Sequence, residues 1–118
     1  MKHAVLILMT GLVAMAADAT GTWTAVFDTQ IGEQSYTYEF KADGKKLTGK
    51  VTNKGHGSTD IEAGKVDGDT IAFIENFSFD GNAIRIEYTG KFDGNDRIKF
   101  TRKVAEYAVE EIVANRVK

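Results

Sequence analysis

The chain has 118 residues, enough for one small domain, and its formal net charge is −2. This mildly acidic balance argues against non-specific nucleic-acid binding, which needs a basic face. The sequence contains no cysteine, so disulfide bonds and thiolate chemistry are excluded. Twelve glycines and no proline are typical of strands joined by tight turns, because every backbone N–H can then serve in a ladder.

The first sixteen residues predict a cleaved export signal. Lys2 provides a positive start, residues 4–13 are almost continuously apolar, and residues 14–16 (AMA) form a small-x-small cleavage site. The apolar run is shorter than the about 20 residues that a membrane-spanning helix needs; a permanent helix is the alternative interpretation. We therefore expect a signal peptide at residues 1–16 and a single domain at residues 17–118. That domain would be periplasmic or secreted, with no membrane span after cleavage.

Turn signals divide the rest of the chain at regular intervals. Glycines recur about every twelve residues, and four of them lie in Asp-Gly pairs: Asp43-Gly44, Asp67-Gly68, Asp80-Gly81 and Asp93-Gly94. Asp-Gly is typical of hairpins because a type I′ turn needs positive φ at both central residues. Apolar and polar residues alternate between the turns, which indicates strands with one buried face. Eight strands are predicted, at residues 21–29, 34–42, 46–53, 58–66, 69–79, 83–92, 96–103 and 107–117.

The last predicted strand has a helical alternative. Residues 104–113 are rich in Ala and Glu, which favour a helix, and the turn before the strand contains no glycine. An eighth strand, however, would close the sheet and remove its open edges. We therefore expect an all-β fold, an eight-stranded antiparallel up-and-down barrel, because the short connections favour a meander. A two-sheet sandwich is the alternative.

Gly21-Thr22-Trp23 opens the first strand and resembles the Gly-x-Trp opening of the calycins, the superfamily of lipocalins, fatty-acid-binding proteins and avidins. The resemblance implies a barrel that holds a small molecule. In such barrels the tryptophan closes one end and an arginine of the last strand packs across it. Arg116 fits this role because it shares the parity of the inward residues of its strand. A guanidinium stacked on an indole gains roughly 0.5–2 kcal/mol.

Two further similarities narrow the resemblance. Residues 40–49 look like the second hairpin of an avidin, the members closest in size, but Trp23 is the only tryptophan, so the tryptophans that wall biotin are missing. Lipocalins are longer and usually carry a disulfide and a helix. The Gly-Thr-Trp start and the Arg-Val-Lys end also resemble small secreted bacterial proteins of unassigned function.

One carboxylate falls on the apolar face of a predicted strand. Glu75 shares parity with Phe73 and Phe77, and a buried charge must be paired, protonated or hydrated. Arg102 is the candidate partner, since it shares parity with the inward residues of its own strand. The two residues either orient a ligand in an apolar cavity or form a structural ion pair, unless a bulge exposes Glu75. The candidate ligand-binding residues are Tyr36, Tyr38, Phe73, Glu75, Phe77, Tyr88 and Arg102.

Signals for catalysis are weak. His56 lies in a glycine-rich loop without a second His or any Cys nearby, so neither a metal site nor another cofactor is expected. We expect a barrel that binds a small, largely apolar molecule without chemistry. The alternatives are a filled barrel that serves as a structural or protein-interaction module, with self-association left open, and, less favoured, a hydrolase.

Overall fold

The computed structural model describes residues 18–118, which form strands and short turns. The export signal predicted at residues 1–16 lies outside the described residues. The strands are β1 (Gly21–Thr29), β2 (Gly32–Asp43), β3 (Lys46–Asn53), β4 (Gly57–Asp60), β5 (Glu62–Asp67), β6 (Thr70–Phe79), β7 (Asn82–Phe92), β8 (Arg97–Val104) and β9 (Ala108–Arg116).

The strands form one closed antiparallel barrel with meander topology. β1 pairs with β2, β2 with β3, and β5 through β9 pair in chain order, while β9 returns to β1. β4 and β5 both pair with β3 and act as one interrupted strand, so the barrel has eight strands. The predicted all-β, eight-stranded up-and-down barrel is therefore confirmed, and the sandwich alternative is wrong.

The structure departs from the prediction in the fourth strand and agrees with it in the last. The fourth, predicted at residues 58–66, breaks after Asp60, and its register against β6 shifts between Glu62 and Lys65. Ala63 lies in this irregular stretch with φ of 52°, an uncommon backbone conformation for a residue with a Cβ. The last strand is confirmed as β9 after a turn at residues 105–107, so a helix over residues 104–113 is wrong.

The Asp-Gly hairpins form, but with more than one geometry. At Asp80-Gly81 both residues have positive φ, 53° and 80°, as a type I′ turn requires. At Asp43-Gly44 and Asp67-Gly68 the aspartate instead ends its strand, and the glycine is the first of two loop residues with φ of 62°. A type II′ turn places glycine at that position. The pair therefore predicts a hairpin more reliably than it predicts the turn type.

Inward-facing aromatic rings fill the middle of the barrel. Tyr38 lies at their centre, with ring centroids between 5.6 and 6.2 Å from those of Tyr36, Phe40, Phe73, Tyr88 and Phe100. Gly90 makes room for one of them, because a Cβ there would lie 2.5 Å from the Phe100 ring. This section is close-packed, so space for a ligand has to lie nearer one end.

The seam between β1 and β9 is short. Two register pairs close it, Trp23 with Arg116 and Thr24 with Asn115. Nearer the other end of β1, no further ladder pair joins these two strands among the described residues. There the Gln30 amide donates to a carbonyl of the β8–β9 turn at 3.3 Å. The wall is therefore continuous around Trp23 and looser at the opposite end.

Candidate functional site

One end of the barrel is closed by a tryptophan and an arginine. Trp23 has no solvent exposure, and its indole N–H donates to the Ala19 carbonyl at 2.9 Å. The Arg116 guanidinium lies 4.3 Å from the indole ring centroid. Gly21 has φ of 137°, and a Cβ there would approach an Arg116 nitrogen to 3.0 Å. The structure thus brings together Gly21, Trp23 and Arg116, the three residues for which the Gly-x-Trp resemblance predicts a role in barrel closure.

The Arg116 side chain also ties the segment before β1 and the β7–β8 turn to β9. Its nitrogens donate to backbone carbonyls, at 2.7–3.1 Å, of Asp18, Thr20 and Asn95. Its Nε also lies 3.3 Å from a carboxylate oxygen of Asp96. Because most of these acceptors are backbone atoms, this end is a fixed structural cap.

A buried carboxylate lies on the far side of the aromatic section. Glu75 is 1% exposed and faces inward from β6, as its parity predicts. The Tyr36 hydroxyl donates to Oε2 and the Tyr88 hydroxyl donates to Oε1, each at 2.8 Å. A nitrogen of Arg102 lies 3.7 Å from Oε1, so the buried charge has an opposite charge beside it. The predicted pairing of Glu75 with Arg102 is therefore present.

Arg102 connects this buried carboxylate to the barrel mouth. It is 3% exposed, and each of its three nitrogens donates one hydrogen bond. Nε donates to Tyr88 at 2.9 Å, one terminal nitrogen to Tyr36 at 2.7 Å, and the other to Glu110 Oε1 at 2.6 Å. The guanidinium carbon also lies 5.0 Å from the ring centroids of Phe27 and Tyr36, within the range of cation–π attraction.

The protons of this network can be assigned from hydrogen-bond counting. A tyrosine hydroxyl has one proton, and Tyr88 uses it on Glu75. Tyr38, whose hydroxyl lies 3.0 Å from that of Tyr88, must therefore be the donor between the two. Tyr36 and Tyr88 donate to Glu75 directly, while Tyr38 and two Arg102 nitrogens donate to these tyrosines. The third Arg102 nitrogen donates to Glu110 instead. The network is complete without a proton on the carboxylate.

The pKa values follow from the same burial. Burial raises the pKa of Glu75 above its ordinary value, while Arg102 and the two tyrosine hydroxyls act in the opposite direction. Burial also raises the pKa of Tyr36, Tyr38 and Tyr88, so all three remain protonated donors at neutral pH. Burial alone would lower the pKa of Arg102, but the neighbouring tyrosines and Glu75 reverse the direction and raise it.

A cavity of about 490 Å³ lies at the end of the barrel opposite Trp23. The turns β1–β2, β6–β7 and β8–β9 surround it, and the side chains of Arg102 and Tyr36 lie at its floor. Most of its remaining wall is aliphatic or aromatic. The lining residues are Thr29, Gln30, Ile31, Gln34, Tyr36, Phe77, Phe79, Asn82, Ala83, Ile84, Ile86, Arg102, Val104, Tyr107, Ala108 and Glu110.

The seven residues predicted for ligand binding fall into two groups. Tyr36, Phe77 and Arg102 line the cavity. The other four are buried beneath it, in the aromatic section or bonded to the cavity floor: Tyr38, Phe73, Glu75 and Tyr88. Glu75 therefore reaches the cavity only through Arg102 and Tyr36. His56 lies outside the cavity lining, with its ring 5.2 Å from that of Phe77.

The sequence prediction did not include several polar residues at or behind the cavity, and three of them bond to other inward side chains. Glu110 and Gln34 line it, and the Asn53 amide nitrogen donates to Gln34 Oε1 at 3.0 Å. Asn53 is 3% exposed, and its Oδ1 has no hydrogen-bond partner among the described residues. Strand parity could have identified all three, since Glu110 shares parity with Ile112, Gln34 with Tyr36, and Asn53 with Val51.

Comparisons with known proteins return no family. No protein-family model matches the chain, and neither a curated protein nor a solved structure matches it. Within residues 18–118, no group of three or more His, Asp or Glu side chains is placed to hold a metal ion, and no helix is long and apolar enough to cross a membrane. The function is therefore argued from the geometry of the barrel.

Proposed function

We propose that this chain is an exported, calycin-like barrel that binds a small, largely apolar molecule in the cavity opposite Trp23 without transforming it. The observation that carries the proposal is the cavity, whose volume of about 490 Å³ falls within the roughly 300–1,000 Å³ of ligand pockets. Its mostly apolar wall includes Gln34, Arg102 and Glu110, and a few polar groups of this kind are what orients a ligand in such a pocket.

The network below the cavity supports binding rather than chemistry. Both oxygens of Glu75 accept hydrogen bonds, and the hydroxyls of Tyr36 and Tyr88 are committed to the same carboxylate. Neither Glu75 nor the tyrosines therefore offers an unoccupied base or an activated nucleophile to a molecule in the cavity. A floor held by so many mutual contacts is preorganised, which reduces the entropy lost on binding.

Export and kinship are supported by the two ends of the sequence. The basic start, the apolar run and the small-x-small site of residues 1–16 are typical of a cleaved signal. The Trp23–Arg116 pair closes the barrel in the way that the calycin resemblance implies. Fluorescence of a fusion to a periplasm-compatible reporter, with and without residues 1–16, tests export directly; an unchanged cytoplasmic location of the full chain would contradict it.

Calorimetric titration of the mature chain with 1-octanol, a neutral chain of eight carbons, tests binding. We expect saturable binding with one site per chain. Ile84→Trp places an indole in the cavity wall and should abolish it, whereas Val26→Trp, on the exposed outer face of β1, should leave it unchanged. Absence of saturation in the unmodified chain, or equal binding by both variants, would contradict the proposal.

One observation favours the alternative of an interaction module. Val26 of β1 and Val109 and Val113 of β9 are exposed on the outer face beside the short seam. Exposed apolar side chains grouped on one face are typical of association surfaces. Sedimentation velocity distinguishes the two functions: a dimer that Val113→Glu dissociates would support the module, and a monomer at high concentration would argue against it.

A further inference from the structure

The charges at the cavity are not equally available to a ligand. Each nitrogen of Arg102 already donates to Tyr36, Tyr88 or Glu110. Its charge is also balanced by two carboxylates, because oxygens of Glu75 and Glu110 lie 3.7 Å and 2.6 Å from its nitrogens, so a carboxylate ligand would be the third at one guanidinium. Two carboxylates beside one guanidinium leave one negative charge in excess, and this excess charge repels an anionic ligand.

Two side-chain oxygens at or behind the cavity accept no hydrogen bond within the described residues. Glu110 lines the cavity with a side chain 15% exposed; its Oε1 accepts from Arg102, and its Oε2 makes no hydrogen bond within residues 18–118. Behind Gln34, the Oδ1 of Asn53 is buried without a partner in the same part of the chain. Of these two residues, Glu110 is the one that lines the cavity, so the site offers an incoming group a charged hydrogen-bond acceptor.

The two ends of the barrel also differ in net charge. The strand ends and turns around the mouth, residues 28–33, 53–57, 79–82 and 104–110, contain five acidic side chains and one lysine. The closed end, residues 18–21, 43–46, 67–70, 92–97 and 116–118, contains six acidic and five basic side chains. Within the described chain, Asp28, Glu33, Asp80 and Glu106 form no ion pair. A cleft lined by one sign of charge attracts ligands of the other sign.

We infer that the ligand is an apolar molecule with a protonated amine, whose ammonium group pairs with Glu110 at the mouth while its apolar part enters the cavity. This inference rests on the proposed binding function and adds the charge of the ligand's polar group. An ammonium carries three donors and no acceptor, which matches the unused Oε2 of Glu110. The apolar part lies against the aliphatic and aromatic wall formed by Ile84, Phe77 and Val104.

Three ligands of equal chain length test the inference: octylammonium, 1-octanol and octanoate, titrated at neutral pH and low salt. We expect octylammonium to bind the unmodified chain about tenfold or more tightly than octanoate, the factor that a charge-assisted hydrogen bond supplies. Glu110→Gln keeps an oxygen for Arg102 but removes the charge, so it should abolish the preference. Glu106→Gln removes a mouth charge outside the cavity lining and should preserve most of it.

The other outcomes distinguish failure of the ammonium inference from failure of the proposed binding function. Equal binding of all three ligands to the unmodified chain would overturn the ammonium inference and leave the binding function standing. A preference that survives in Glu110→Gln would overturn the role of Glu110. Binding of none of the three would overturn the proposed function itself, and the charge inference with it.

Discussion

Each end of this barrel places an arginine against aromatic rings, but the two arginines bond to different kinds of acceptor. Arg116 donates mainly to backbone carbonyls of the segment before β1 and of the β7–β8 turn. Arg102 donates to side chains alone: two tyrosines and Glu110. Backbone acceptors are fixed by the fold, whereas a side-chain acceptor can rotate or be exchanged. The same residue type therefore has two roles: Arg116 fixes the closed end of the barrel, and Arg102 forms the floor of the cavity at the other end.

The acidic residues follow the same division. At the closed end, a hydrogen bond from Arg97 lowers the pKa of Asp93, and one from Lys118 lowers the pKa of Asp96. Among the described residues, the four turn and strand-end acids of the mouth have no such partners. Surface ion pairs of this kind contribute little stability. The difference in pairing between the two ends therefore affects the charge of the ligands that each end attracts more than it affects the stability of the fold.

The largest expected effect is the loss of the closed end through Trp23→Ala. Trp23 is fully buried, donates to Ala19 and stacks with Arg116, so we expect destabilisation of about 5 kcal/mol, the upper part of the range for such truncations. Urea unfolding followed by circular dichroism measures it. Tyr107→Ala removes an exposed aromatic residue at the mouth and serves as the control. A loss below about 1 kcal/mol would show that the tryptophan does not close the fold.

Arg102→Met should cost somewhat less, about 3–4 kcal/mol, because it leaves the Glu75 carboxylate buried without its counter-charge. The double variant Glu75→Leu with Arg102→Met removes both charges and should be more stable than Arg102→Met alone. Comparing their unfolding free energies with that of Glu75→Leu completes a double-mutant cycle. If the losses of unfolding free energy in the two single variants add up to the loss in the double variant, Glu75 and Arg102 are not coupled.

Arg116→Lys tests the closed end with a smaller change, and we expect the free energy of unfolding to fall by about 1–2 kcal/mol. Lysine keeps the charge but lacks the planar fork that bonds to several carbonyls at once and stacks on the indole. Thermal unfolding measures the loss, and quenching of Trp23 fluorescence by acrylamide should increase in the variant. Unchanged quenching with unchanged stability would show that a point charge suffices there.

Strand parity predicted most of the fold and much of the site. The inward positions of Trp23, Glu75, Arg102 and Arg116 were all predicted from alternation with apolar neighbours, because a strand turns successive side chains to opposite faces. Parity cannot say how far along the barrel axis two strands are staggered. It therefore placed Tyr38 with the ligand-binding residues, although register puts it in the filled section below the cavity.

Other features depend on interactions that a single sequence does not reveal. The fourth strand breaks at Ile61, and its register against β6 shifts between Glu62 and Lys65, although the local sequence contains no proline. Residues 104–113 also have helical propensity, so parity marks Glu110 as inward only once the strand is established. Its contact with Arg102 joins adjacent strands whose register became known only from the barrel.

The smallest expected effect is a pH dependence that Glu75 alone produces. Burial raises its pKa in the folded state above the ordinary value of 4.5, so the folded chain binds the proton more tightly than the unfolded chain does. This contribution to stability is fully present below the ordinary pKa and is lost as pH rises through the raised one. The unfolding free energy of the unmodified chain, minus that of Glu75→Gln, should therefore fall as pH rises from the ordinary pKa. Subtraction cancels the titration of the exposed acids, which both chains share. A difference that instead grows with pH would mean that Arg102 and the tyrosines outweigh burial, and the floor of the cavity would then be held by its charges.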